Sequence, residues 1–180
     1  MTRILTASVA GGVVLFFWGF LTHVVIGWYD AAWQGFTDER AVTAAIEAHA
    51  PAGGVYYLPF RPDPNRPPAT EAMVIVRAAG DRPPMGVQMA GGLAINVVSV
   101  ALVLLLLSPR AASPYWVRVG HFTLAGLVIG FVGQAYYWNW FGFPTVYFGL
   151  SVADSIIAWT LAGLVAAPLA ARRQRRGGFR

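Results

Sequence analysis

The sequence predicts an all-α membrane protein, a four-helix transmembrane bundle with a small extracytoplasmic α+β cap between helices 1 and 2. Three observations predict it. The 180-residue chain is 57% hydrophobic and only 12% charged, about half the charge of a soluble domain. Four apolar runs each reach roughly the 20 residues that cross a hydrocarbon core. The charges are also partitioned. Arg3, Arg110, Arg118, Arg172, Arg173, Arg175, Arg176 and Arg180 lie at the chain ends and in one short loop, without an acid among them, while the other five Arg share one long segment with seven of the eight acids.

That partition is what the positive-inside rule produces. The net charge of +5 is therefore expected to set orientation and to meet anionic lipid, not nucleic acid. The absence of Cys excludes disulfides, thiol redox chemistry and thiolate metal sites. Every base is Arg and none is Lys, a usage that suggests a GC-rich bacterial genome.

Transmembrane helix 1 falls within residues 1–27, with its apolar run from Ile4 to Ile26. A secretory signal would be shorter and would end in a small-residue cleavage site, so this run is expected to be a retained span with a cytoplasmic N-terminus. Residues 28–85 form the cap and hold eight of the twelve prolines. Thr37, Asp38 and Glu39 suit a helix start, because a hydroxyl or carboxylate caps free N–H groups and acids favour the positive end of the helix dipole. The helix is expected over 38–49, with Val42, Ala45, Ile46 and His49 on one face. A β-hairpin over 55–60 and 72–78 follows, interrupted by a proline-rich loop that cannot supply ladder N–H groups. So few apolar residues cannot sustain a separate core, and the cap is expected to rest on the outer ends of the spans.

Helix 2 is expected over 86–108, helix 3 over 116–137 and helix 4 over 145–170, with 171–180 as a basic cytoplasmic tail. Four spans put both termini on one side, and both ends are basic. Tyr136, Tyr137, Trp138 and Trp140 form an expected interfacial turn between helices 3 and 4, since aromatic rings with a polar tip favour the membrane-water boundary.

Helices associate in lipid through close packing of small residues. Gly19 on helix 1, Gly92 on helix 2, Gly126 and Gly130 on helix 3, and Ala158 and Ala162 on helix 4 mark such faces. The same faces carry the polar residues His23, Gln88, Asn96, Gln134 and Asp154. At ~1.5 Å rise per residue, His23 and Gln134 are expected near the outer interface, Asp154 deeper and Asn96 near mid-membrane. A buried acid costs about 2.5–3.5 kcal/mol on insertion scales unless it is neutral, paired or wet, so Asp154 needs a partner, and His23 or Gln134 is the nearest candidate.

No nucleotide loop, metalloprotease motif, nucleophile elbow or carboxylate dyad occurs. The three His stand at different depths, which disfavours haem or zinc, and no metal or cofactor is expected. The sequence favours a non-catalytic accessory, assembly or scaffolding subunit of the bacterial inner membrane, partnered by the lipid bilayer and by other membrane subunits or a second copy. The other reading is an ion-, proton- or lipid-handling protein or enzyme, built on an outward-facing pocket of His23, Gln134 and Asp154.

Overall fold

The computed structural model describes residues 2–61, 63–66, 70–78, 80–108 and 112–171. The basic tail from 172 onward and Arg110 lie outside them. The chain divides into two units, Met1–Ala32 with Gly86–Arg180, and Trp33–Met85. Four helices of the first unit are long and apolar enough to cross a membrane. They are α1 (Thr2–Phe20), prolonged by a π-helical turn at Leu21–Val25, then α3 (Met85–Leu106), α4 (Tyr115–Phe141) and α5 (Thr145–Ala170).

The bundle is assembled by small residues that admit bulky ones. A side chain at Gly126 would stand 2.6 Å from the Ser155 carbonyl oxygen, and one at Gly163 would stand 2.6 Å from Phe122 Cβ. Gly130 meets Ser155 and Val152 in the same way. Glycine is needed at these positions because backbone and side chain of the facing helix already occupy the space of a Cβ. Ala162 and Ala166 of α5 are fully buried and Ala158 nearly so, beside Phe122, Trp159 and Val100. Helix α3 joins this core mainly through Val97, set over Gly12, and Val100, set over Gly11. Thr123 and Thr160 add an interhelical hydroxyl pair at 2.9 Å.

The packing role expected of Gly19 is not seen. No atom lies within 4 Å of a side chain built there, because the helices diverge at this level and Gly19 lines a cleft. Gly92 makes only ordinary contact with the Phe16 ring, at 3.8 Å.

The third span is longer than its predicted end at 137. Tyr136, Tyr137, Trp138 and Trp140 are helical, not a turn, since none of them breaks a helix. Helix α4 instead ends at Gly142, whose φ of 69° makes it a left-handed cap with its N–H on the Tyr137 carbonyl. Pro144 then precedes α5. The Trp138 ring stacks on Phe148 at 5.3 Å and its Nε1 donates to Thr145 at 3.1 Å.

Inside α5, Pro168 has no N–H for the Leu164 carbonyl four residues earlier. The Tyr115 hydroxyl donates to that carbonyl at 3.1 Å. The last carbonyls of α5 also lack intrahelical donors. Arg118 Nη1 donates to Ala167 at 2.7 Å, and Arg3 Nη1 donates to Ala171 at 3.2 Å. Helices α1 and α5 thus bring their chain-terminal ends together.

In the second unit, α2 (Glu39–His49) starts at Asp38, whose carboxylate accepts the Ala41 N–H at 3.0 Å. Strands β1 (Gly54–Leu58) and β2 (Ala72–Val76) pair antiparallel with Tyr56 opposite Val74. They are shorter than predicted at their outer ends, where Pro59 cannot donate to a ladder. The predicted face of α2 and the Tyr56–Val74 face of the hairpin line a common apolar hollow.

Candidate functional site

The π turn follows directly from the hydrogen bonds: Ile26 N–H reaches the Leu21 carbonyl five residues back, at 2.9 Å. Gly27 then adopts φ 65°, which only glycine enters freely, and Trp28 N–H returns to the Thr22 carbonyl at 2.9 Å. This tight reversal sends Tyr29 back against α5, where it is buried to 8% exposure.

Asp154 is the point on which these segments converge. Trp18 Nε1 donates to Asp154 Oδ1 at 2.6 Å, and the Tyr29 hydroxyl donates to Oδ2 at 2.9 Å. Each carboxylate oxygen therefore has a neutral donor, one from α1 before the π turn and one from the loop after it. A hydrogen bond to a charged group contributes about 1.5–3 kcal/mol, so the pair is of the size needed to offset the cost of placing an acid about 14 Å along α5. Ser151, one turn earlier, also bonds Tyr29, and burial pushes the Tyr29 hydroxyl well above its ordinary pKa, with Asp154 adding to the rise and Ser151 opposing it.

A cleft of about 380 Å³ opens beside Asp154, walled by Trp18 and Trp159 and lined by Asn96, Ser99 and Ser155. Most other hydroxyls of the spans bond a backbone carbonyl of their own helix: Thr6, Ser8, Thr22, Thr123 and Thr160 all do so. Among the described residues, no such bond accompanies the side chains of Asn96, Ser99 and Ser155. The cleft lining thus gathers one carboxylate, one amide and two hydroxyls.

His23 and Gln134, expected as partners of Asp154, are not its hydrogen-bond partners. His23 is exposed and its Nδ1 donates to the Gly19 carbonyl at 3.0 Å. It reaches the site only through its ring, which lies 4.6 Å from that of Tyr29. Gln134 is half-buried further along α4, and Gln88 lies outside the cleft lining. Asn96 alone of the expected amides shares the cleft with Asp154.

The residues that sequence reasoning missed are Trp18, Tyr29, Ser151 and Ser155. Their polar atoms are single and small against large apolar bodies, so a hydropathy scan counts Trp18 and Tyr29 with the core or the interface. The available signal was an acid well inside an apolar run, while Arg3 and Arg118, the Arg of the four long helices, stand at the opposite ends of theirs. Such an acid must find neutral donors, and the indole of Trp18 and phenol of Tyr29 are strong ones. Trp28 Nε1 remains buried beside Trp18 with no acceptor among the described residues. No cluster of three or more His, Cys, Asp or Glu able to hold a metal occurs among the described residues. No protein-family model matches the chain, and no curated protein or solved structure is significantly similar to it.

Proposed function

We propose that the protein is a multi-pass membrane protein that handles a proton or a small cation at Asp154. The observation that carries this reading is the cleft. A carboxylate with a fixed orientation lies beside an amide and two hydroxyls whose side chains have no hydrogen-bond partner among the described residues. In an apolar surrounding, unpartnered polar groups are costly, and a polar occupant satisfies them. Oxygen donors around one negative charge suit a hard, singly charged guest. Trp18 and Tyr29 keep the carboxylate in place when the guest leaves. Placement in a bacterial inner membrane with both termini cytoplasmic rests on the Arg-only base usage and on the basic chain ends.

The test is reconstitution in liposomes that carry a pH-sensitive dye, under sodium or potassium gradients. Asp154→Asn is expected to abolish the flux while leaving the helical signal and the elution profile unchanged. Equal flux through the Asn variant would refute the reading.

The exposed aromatic end of α4 favours a second reading. Tyr136 and Trp140 are 63% and 71% exposed and border a groove with Phe131, a surface suited to an accessory or scaffolding subunit. That reading expects the Asn variant to behave as wild type.

A further inference from the structure

A separate cavity of about 390 Å³ lies at the bundle end where α1 begins and α5 finishes. Arg3, Arg118, Thr2 and Ser108 line it together with apolar residues that include Leu104 and Phe122, and no lining residue is acidic. Arg118 places one Nη1 donor on the Ala167 carbonyl of α5 and Arg3 places one on the carbonyl of Ala171, the residue that follows α5. Capping explains those two donors only, and a guanidinium has five. Arg118 Nε is buried and has no acceptor among the described residues.

The charge balance favours an anion. The two guanidiniums give the cavity two positive charges. The negative end of the α5 dipole opposes an anion with about half a charge, which the two guanidiniums outweigh. Their planar forks match the oxygens of phosphate. The cavity is also two-natured, with cations and hydroxyls beside Leu104 and Phe122. An inorganic anion would leave that apolar wall uncovered, whereas the carbon chain next to an esterified phosphate would cover it.

We propose that this cavity binds the phosphate of an anionic amphiphile, with Arg3 and Arg118 pairing with the phosphate and the apolar wall holding the adjoining carbons. Its position at the end of the bundle is the level at which phospholipid head groups lie, and basic pockets between helices are suited to them.

Full-length protein in a neutral detergent is titrated with phosphatidylglycerol, with phosphatidylcholine and with inorganic phosphate, and binding is followed by native mass spectrometry. Phosphatidylglycerol is expected to bind about tenfold more tightly than phosphatidylcholine and to weaken as salt is raised. Arg118→Gln is expected to weaken it about fivefold. Arg3→Gln, at an exposed position that leaves the core intact, is expected to weaken it as well. Competition by millimolar inorganic phosphate assigns the site to phosphate in general, and its failure to compete assigns the site to the lipid. Equal binding of the two lipids, or undiminished phosphatidylglycerol binding by both Arg variants, overturns the proposal.

Discussion

In the bundle, Ala7, Val100, Ala162 and Ala166 are completely enclosed, whereas no described residue of the Trp33–Met85 unit is buried. The two units carry apolar side chains for different reasons. The four long helices use small residues to bring backbones together, and their outward Leu, Ile and Val make them apolar enough to cross a membrane. The second unit exposes Val55 and Ile75 on one face of its hairpin and Phe60 beyond it, at 65%, 76% and 78%. A unit of this size cannot enclose enough apolar surface to stand on its own core. The lesson is that apolar content and core are separate quantities: the bundle has a core because glycine and alanine recur at the right spacing.

The comparison is broken most severely by filling a glycine contact. Gly126→Leu forces a side chain into the Ser155 carbonyl and Trp159, and a loss of about 3 kcal/mol is expected in a denaturant titration in detergent. An unchanged midpoint would show that α4 and α5 can separate without cost.

A smaller effect is expected at the acid. Tyr29→Phe keeps the ring contacts with His23 and Tyr147 and removes one donor to Asp154, a loss of about 1.5–3 kcal/mol. It should also change the alkaline limb of stability. The folded-state pKa of Tyr29 is raised, first by burial, so its contribution is intact below the unfolded value of about 10 and is lost as pH rises above it. Unfolding midpoints measured across that range should fall in the wild type and fall less in the Phe variant.

The smallest effect belongs to the second unit. Asp38→Ala removes the cap of α2 and should cost that helix about 1 kcal/mol. Amide exchange of Ala41 should quicken while the exchange of α4 and α5 stays the same. A loss of protection in the spans would show that the two units unfold together.

Much of the bundle was legible in the sequence, because span length and small-residue spacing are local properties. The start of α5 at Thr145 is legible because Pro144 precedes it. The third long helix runs past its expected end, because polarity marks the aromatic run as a boundary while the backbone stays helical up to the cap at Gly142. The candidate site was half legible. An acid inside an apolar run announces itself, but its partners lie 136 and 125 residues away in sequence and look apolar on any hydropathy scale. The π turn gave no compositional sign at all, since the run LTHVV suits an α-helix as well.

That turn has a geometric consequence for the whole first span. Each of its hydrogen-bonded rings holds one residue more than an α-helical ring, and one residue is worth about 100° of rotation. A helix of constant pitch offers its neighbour a single azimuth. This one shifts its azimuth just before the chain reverses at Gly27, so that Trp18 on the helix and Tyr29 in the loop after the reversal arrive at opposite oxygens of the same carboxylate.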